Sequence, residues 1–143
     1  MARCGRIATL LDVEMLGVGE VVLAEGRPLE HLPGKPGEKA SKEIGGRCVL
    51  RYLRRHQVGL YSGGTTDPQW VTVTPYTPKE AVRWLALPNA LDPPGFVLFI
   101  DIASVPVVKG PGRVRLGGGI EYLLPGGFPA EAVVHPKWEV EIQ

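Results

Sequence analysis

Glycine and proline interrupt this chain at short intervals, and this spacing limits the elements that it can form. The 143 residues include 19 glycines and 14 prolines, about 23% of the chain against a usual level of about 12%. These glycines follow no three-residue period, which excludes a collagen triple helix. Since 44% of the residues are hydrophobic and the formal net charge is +1, enough apolar material remains for a core. We therefore expect one compact domain over residues 1–143, made of short elements separated by turns.

Membrane proteins, secreted precursors and strongly basic nucleic-acid binders are not expected. The longest apolar run, residues 96–100, is much shorter than the roughly 20 residues that span a bilayer. The N-terminal stretch carries Asp12 and Glu14 among its apolar residues and contains no small-residue cleavage pattern, so no signal peptide is expected. The near-neutral charge argues against nucleic acid as a partner. The composition indicates a soluble chain.

Sequence patterns typical of metal sites and phosphate-binding loops are absent. Cys4 and Cys48 are far apart and form no CxxC pair, which leaves a single disulfide between them open. The histidines show no paired spacing, so no metal site is expected. The glycines at 117–119 are followed by Ile120 and Glu121 instead of Lys and Ser or Thr, so this run is not a P-loop. It is either a plain bend or a place where a ligand approaches the backbone.

The first half of the chain is predicted to contain short strands, one loop and one basic helix. Two strands are expected within residues 6–24. Residues 25–46 combine proline and glycine with charged side chains, which favours a flexible loop or lid with at most a short helix. In residues 47–56 apolar positions recur at helical spacing, and arginines fall on the opposite side. The arginines of this predicted basic face are Arg47, Arg51, Arg54 and Arg55.

After this helix the pattern changes to strands, one further helix and turns. Residues 58–61 and 70–76 are predicted strands, the second with alternating apolar and polar positions. The segment Thr77-Pro78-Lys79-Glu80 is a capping box, which predicts a helix of about ten residues that ends before Pro88. The continuous apolar run at 96–100 predicts a central strand covered on both faces. Further short strands are expected at residues 105–108, 112–116, 121–124, 132–135 and 138–142. Together these elements predict the α+β class, with a bent, mostly antiparallel sheet of short strands and two or three helices.

Three segments suited to carry chemistry follow one another in a fixed order. They are residues 59–64 (GLYSGG), 70–82 (WVTVTPYTPKEAV) and 117–127 (GGGIEYLLPGG). In this order they resemble the ADP-ribosyltransferase superfamily and its NAD-cleaving toxin relatives, which occur as C-terminal toxin domains of polymorphic secretion systems. Members of that superfamily carry an Arg or His near an aromatic residue on a first strand, a Ser/Thr-x-Ser/Thr pattern before a helix on a second, and a Glu or Gln on a later strand. The resemblance extends over residues 58–135.

The resemblance implies an ADP-ribosyltransferase-like fold and NAD as the substrate. It matches the strand ending at Tyr61-Ser62-Gly63 to the first strand, Thr72 and Thr74 to the second and Glu121 to the later one. The first strand carries no Arg or His; the nearest are Arg55 and His56, before it. The implied enzyme is an NAD glycohydrolase or a mono-ADP-ribosyltransferase, with an acceptor protein and a cognate immunity protein as implied partners. It would act as a toxin or effector, delivered into a target-cell cytoplasm as part of a longer secreted protein.

The residue types fit the chemistry of NAD cleavage. Breaking the bond between nicotinamide and ribose gives the sugar oxocarbenium-like character, which a carboxylate at Glu121 would stabilise. Tyr61 is the second catalytic candidate, because its ring or that of Trp84 would stack on the cationic nicotinamide. An arginine fork would bind the diphosphate, while Thr72 and Thr74 would fix the backbone around the glutamate. The candidates for NAD binding are Ser62, Gly63, Thr72, Thr74, Trp84, Arg51, Arg54 and Arg55.

Other interpretations remain open. A non-enzymatic module could bind an acidic partner through the basic face at 47–55, and an RNA-cleaving toxin could use His56 or His135 as acid or base. If NAD is cleaved, either water or a protein could accept the ADP-ribose. Glu121 could instead be a surface residue on an edge strand, with the two threonines exposed and the candidate aromatic residues in the core.

Overall fold

The computed structural model describes four parts of the chain, residues 34–85, 95–114, 117–134 and 140–141. The strands expected within residues 6–24, the helix end expected before Pro88, and both Cys4 and His135 lie outside the described residues.

Within these residues the chain forms three α-helices and a seven-stranded sheet. The helices are α1 (Gly37–Glu43), α2 (Arg55–Tyr61) and α3 (Pro78–Trp84). The strands are β1 (Gly34–Lys35), β2 (Val49–Leu53), β3 (Gln69–Thr72), β4 (Phe96–Ile100), β5 (Val108–Arg113), β6 (Ile120–Leu124) and β7 (Val140–Glu141). Their order across the sheet is β1-β5-β6-β3-β2-β4-β7, and every neighbouring pair is antiparallel. The predicted α+β class with a mostly antiparallel sheet is confirmed.

The sheet consists of two groups of strands that meet at one point. Five registered residue pairs join β2 to β4 and four join β3 to β6, whereas the described ladder between β2 and β3 has a single pair, Leu50 with Thr72. One side chain reinforces this junction. The Tyr52 hydroxyl lies 3.1 Å from the carbonyl oxygens of both Thr74 and Tyr76, and it also accepts a hydrogen bond from the Tyr76 N–H. We call the boundary between β2 and β3 the seam.

Both faces of the sheet are covered. The larger buried cluster includes Val49 and Leu53 of β2 together with side chains from α1 and β6. The smaller one includes Leu50 and Tyr52 of the same strand and Ala81 of α3. Because successive residues of a strand point to opposite faces, β2 is buried on both sides of the sheet. Strand β4 contributes to both clusters as well, as its continuous apolar run predicts.

Two sequence predictions between β2 and α2 are wrong. The basic helix predicted at 47–56 is strand β2 followed by the start of α2, and the strand predicted at 58–61 is the end of helix α2. Since β2 is apolar on both faces it shows no alternation, and its apolar residues match helical spacing by coincidence. Arg47 is buried and Arg51 lies in a strand between two others, so the predicted outward face of arginines is not formed.

The described part of the predicted loop, residues 34–46, is packed secondary structure. It contains β1 and the short helix α1, which the prediction allowed. Ala40 and Ile44 belong to the larger buried cluster. Gly37 lies against the backbone of the 3-10 turn at 102–104, where a Cβ would come within 1.9 Å of the Ile102 carbonyl oxygen. This segment therefore covers one face of the sheet.

The capping box predicted before α3 is confirmed. The Glu80 N–H donates to Thr77 Oγ1 at 3.3 Å, and the Thr77 N–H donates to Glu80 Oε1 at 2.9 Å. The helix has seven residues, fewer than the ten predicted. It ends at Trp84, whose carbonyl group is used by the loop that leads into β6.

The later strands are confirmed in part. Those predicted at 112–116, 121–124 and 138–142 correspond to β5, β6 and β7 with shifted ends. The segment 105–108 supplies only the first residue of β5, and 132–135 supplies only an isolated bridge to β4. In both segments a preceding 3-10 turn uses the first backbone N–H for its own closing hydrogen bond, so that group is lost to strand pairing.

Candidate functional site

The Glu121 carboxyl group is buried in the interior of the sheet. Glu121 is in register with Thr72 of β3 on one side and with Gly112 of β5 on the other, so its strand is not an edge. Its side chain is only 7% exposed. Burial raises the pKa of this carboxyl group to about 8, and the positive charge of Arg51 opposes that rise in part. No hydrogen bond from a described residue contributes to the pKa of this carboxyl group.

Thr72 is fully buried beside Glu121 and fixes the backbone of β6. Its hydroxyl donates a hydrogen bond of 2.7 Å to the carbonyl oxygen of Ile120, the residue directly before the glutamate. The Thr72 hydroxyl oxygen in turn accepts a hydrogen bond of 3.3 Å from the Thr74 N–H. Thr72 thus makes the type of contact that the sequence analysis assigned to it, and neither threonine is an exposed strand residue.

Thr74 and Tyr76 extend this polar group along the chain. The Thr74 hydroxyl is buried and makes no hydrogen bond of normal geometry to any described residue. It lies close enough to the Tyr76 phenol to lower its pKa slightly, against the larger upward effect of burial. The negative charge of Glu121 also raises the pKa of Tyr76. A Cβ added to Gly119, two residues before the glutamate, would lie 2.8 Å from the Tyr76 hydroxyl. We call Glu121, Thr72, Thr74 and Tyr76 the carboxyl group cluster.

The triple-glycine loop before Glu121 packs on the end of α3. The Gly119 N–H donates to the Trp84 carbonyl oxygen at 2.9 Å, and a Cβ on Gly117 would lie 2.2 Å from the same oxygen. Gly118 has φ +87°, and a Cβ added there would lie 3.5 Å from the Trp84 ring. Close packing therefore explains the glycines. The Trp84 ring itself is 37% exposed, with the Arg83 guanidinium 5.2 Å from its centre.

Arg51 lies in the middle of β2, outside the segment 59–64 that the resemblance matches to a first strand and that the structure has as the end of helix α2 and the turn after it. Its Nε donates to Gln69 Oε1 at 2.7 Å, and its Nη1 donates to the Tyr52 carbonyl oxygen, also at 2.7 Å. The Tyr61 ring centre lies 5.7 Å from Cζ. Burial lowers the pKa of Arg51, while Tyr61 and Glu121 raise it. We call Arg51, Gln69 and Tyr61 the guanidinium cluster.

The two clusters lie on opposite faces of the sheet on either side of the seam. Thr72 and Glu121 are opposite each other in register and therefore share a face, the one that Leu50 also occupies. Arg51 follows Leu50 and points to the other face by strand alternation. The charges of Arg51 and Glu121 nevertheless attract each other, since each shifts the pKa of the other toward its ionised form. The strand order β6-β3-β2 brings Glu121, Thr72 and Arg51 onto three adjacent strands.

The remaining candidates are less close to Glu121. Tyr61 contacts Arg51 and the larger buried cluster, and the structure does not bring it to the carboxyl group cluster. Ser62 ends α2 through its backbone, and Gly63 lines a groove of about 570 Å³ formed mainly by two glycine turns and the segment 128–131. Arg55 is the first residue of α2.

Sequence reasoning missed Gln69 and Tyr76. The sequence did contain a signal for Gln69. It lies on the same face of the strand as Val71 and Val73, and an amide in an otherwise apolar row needs a buried hydrogen-bond partner. Tyr76 was assigned only to the polar side of a strand. Its place beside Glu121 depends on the packing of α3, which the local pattern does not contain.

No group of three or more metal-binding side chains occurs within the described ranges, and Cys48 is disulfide-bonded. None of the helices in this part of the chain has the length and apolar character needed to cross a membrane. Searches against family models, curated proteins and solved structures return no match to this chain.

Proposed function

We propose that this chain cleaves NAD at the bond between nicotinamide and ribose, as a glycohydrolase or a mono-ADP-ribosyltransferase. The observation that carries the proposal is the buried Glu121 carboxyl group, placed beside Thr72 and two strands away from Arg51. Thr72 and Glu121 follow one another along the chain in the order that the resemblance to ADP-ribosyltransferases implies. The segment that the resemblance matches to the first strand is helical, so we assign the role of the first-strand arginine to Arg51 of β2 instead.

The environment of Glu121 suits a reaction that develops positive charge. As nicotinamide leaves, the ribose gains oxocarbenium-like character, and a carboxylate close to it lowers the energy of that state. With a pKa of about 8, Glu121 is mostly protonated at neutral pH in the unliganded chain. The cationic nicotinamide ring favours the ionised form, so substrate binding lowers this pKa and releases a proton. Glu121 thereby becomes negatively charged next to the ribose that develops positive charge.

Arg51 would supply the complementary charge for the diphosphate from the other face of the sheet, which requires the substrate to bind across the seam, where one registered residue pair joins β2 to β3. Its guanidinium group is held on the Nε and Nη1 side by Gln69 and Tyr52. Nη2 makes no hydrogen bond to any described residue and keeps two donors for phosphate oxygens. A planar guanidinium group with free donors is well suited to bind phosphate.

The other candidate functions have less support. A binding module was proposed for an outward basic helix face at 47–55, and that face is not formed. An RNA-cleaving toxin would depend on His56, which is exposed on α2, or on His135. The NAD proposal includes the role of a secreted toxin that a cognate immunity protein counteracts. Either water or a protein would accept the ADP-ribose.

The direct test is nicotinamide release from NAD by the purified chain. Glu121→Ala should lower the rate by about a hundredfold or more, because it removes the group that stabilises the transition-state charge. The pH profile of kcat/KM should rise through the pKa of the unliganded Glu121, near 8, and level off above it.

Two further variants separate charge from shape. Glu121→Gln keeps the size of the side chain and should be nearly as inactive as Glu121→Ala, with no rise in its pH profile. Glu38→Gln removes an exposed carboxylate on α1 and should leave the rate unchanged. The proposal fails if NAD is not consumed with or without candidate protein acceptors, and degradation of RNA under the same conditions would favour a nuclease.

A further inference from the structure

Gln69 is a buried amide in a row of apolar side chains. It begins β3, is 3% exposed, and shares its face of the strand with Val71 and Val73. A buried amide is costly unless its polar atoms are hydrogen-bonded, so its partners reveal what holds it there.

Those partners connect the two sides of the seam. Gln69 Oε1 accepts a hydrogen bond of 2.7 Å from Arg51 Nε, and Nε2 donates a longer bond of 3.4 Å to the Asp67 carbonyl oxygen. The bond to Asp67 fixes which end of the amide faces Arg51. Because β2 and β3 share only the pair of Leu50 with Thr72, this side-chain bond bridges strands that the backbone ladder joins weakly.

Among the described residues, only neutral groups accept hydrogen bonds from Arg51. Its contacts among the described residues are the Gln69 amide, the Tyr52 carbonyl and the Tyr61 ring, and no carboxylate there lies within 4.0 Å of it. Glu121 acts on it only from a greater distance. The guanidinium group is thus oriented without losing its net charge, which a carboxylate in the place of the amide would cancel.

Resting on the proposed function, we propose that Gln69 is a positioning residue that holds Arg51 uncompensated and oriented for the diphosphate of the substrate. Glutamate has the same shape and could accept the same bond from Nε, but it would turn the neutral contact into an ion pair. The difference between glutamine and glutamate at this position therefore controls the affinity for phosphate groups.

The test compares three variants by calorimetric binding of inorganic pyrophosphate and ADP-ribose at low salt, and by NAD kinetics. Gln69→Glu should weaken pyrophosphate binding by about tenfold or more, since the anion competes with an internal carboxylate. Gln69→Met keeps the length but removes the acceptor, so Arg51 keeps its charge and loses its orientation; a smaller loss, roughly threefold, is expected. Lys39→Gln is the control for charge, because it also lowers the net charge by one, at an exposed site on α1. This variant should bind pyrophosphate as the unchanged chain does.

The kinetic readout separates positioning from a purely structural role. For NAD, Gln69→Glu should raise KM much more than it lowers kcat, because the reacting bond is stabilised by Glu121 and not by this pair. The inference is overturned if Gln69→Glu binds pyrophosphate as tightly as the unchanged chain, or if both Gln69 variants lose binding only in proportion to a loss of thermal stability. If Gln69→Glu does not fold, Gln69→Met decides the matter, since unchanged binding there excludes the role. Pyrophosphate binding that follows the expected order without NAD turnover would uphold the Arg51 and Gln69 pair and reject the proposed reaction.

Discussion

At the scale of single residues, the most consequential feature is that Glu121 is buried and has no ion-pair partner among the residues that the structure describes. Its carboxyl group escapes the cost of burying a charge by remaining protonated to a pH of about 8. The pKa of a buried, protonated carboxyl group falls when a cation is placed next to it. Burial of Glu121 also makes the folding stability depend on pH in a direction opposite to that of an ordinary ion-paired carboxylate.

We expect the chain to lose stability as the pH rises from about 4.5 to about 8. In that window the unfolded chain has released the Glu121 proton, whereas the folded chain still holds it, so raising the pH favours unfolding. Glu121→Gln removes this dependence and should be more stable than the unchanged chain at alkaline pH, by on the order of 3 kcal/mol. Urea unfolding over this pH range measures the difference. Parallel pH profiles for the two proteins would contradict the prediction.

Residue order along the chain was enough to associate Thr72 with Glu121, which the structure has in register on adjacent strands. It was not enough for Gln69 or Tyr52. Their roles arise because β2 and β3 meet at a single residue pair, and side chains complete the junction. Strand pairing between distant parts of a chain leaves no trace in local spacing, so these contacts required the structure.

At the scale of elements, local signals succeeded where they were complete within a few residues. The capping box specifies the start of α3 by bonds between neighbours, and the apolar run at 96–100 specifies a strand buried on both faces. The prediction placed a helix at β2 and a strand in α2. The five residues of β2 are buried on both faces except at Arg51, so their polarity pattern resembles that of a helix. Helix α2 is short and is capped by an unusual pair, with Gln57 Oε1 accepting from the Arg54 N–H. The same error assigned Arg51 to a helix, whereas the structure has it in a strand.

The loop that connects α3 to β6 provides a test at this scale. Gly117→Ala should destabilise the fold by roughly 2–3 kcal/mol, because the added Cβ would lie 2.2 Å from the Trp84 carbonyl oxygen and the loop has to move. Activity should fall as well, since this loop sets the start of the strand that carries Glu121. Gly126→Ala is the matched control, as nothing lies within 4 Å of its Cβ position and the site is exposed. Equal melting temperatures for the two variants in a thermal unfolding experiment would show that the loop does not depend on this contact.

At the scale of the whole molecule, the sheet is two antiparallel groups held at the seam, and each candidate cluster belongs to one side of it. Glu121 and Thr72 lie in the group of β3, β5 and β6, whereas Arg51 lies in the group of β2 and β4. A ligand that contacts both clusters would therefore bind across the junction. The relative position of the two groups is set by few bonds, of which those of the Tyr52 hydroxyl are the most buried.

Tyr52→Phe tests how far this hydroxyl holds the two groups together. It removes the donor shared by the Thr74 and Tyr76 carbonyl oxygens and the acceptor of the Tyr76 N–H, and it leaves these backbone groups buried without that partner. We expect a loss of about 1–3 kcal/mol in the free energy of unfolding and faster amide hydrogen exchange at Tyr76. Tyr61→Phe is the control for stability and hydrogen exchange alone, because the Tyr61 hydroxyl makes no hydrogen bond to a described residue. If the Tyr52 hydroxyl holds the seam, Tyr52→Phe also raises KM for NAD, because the two clusters move apart. Equal stability and equal hydrogen exchange in the two variants would mean that the backbone pair of Leu50 with Thr72 is sufficient to hold it.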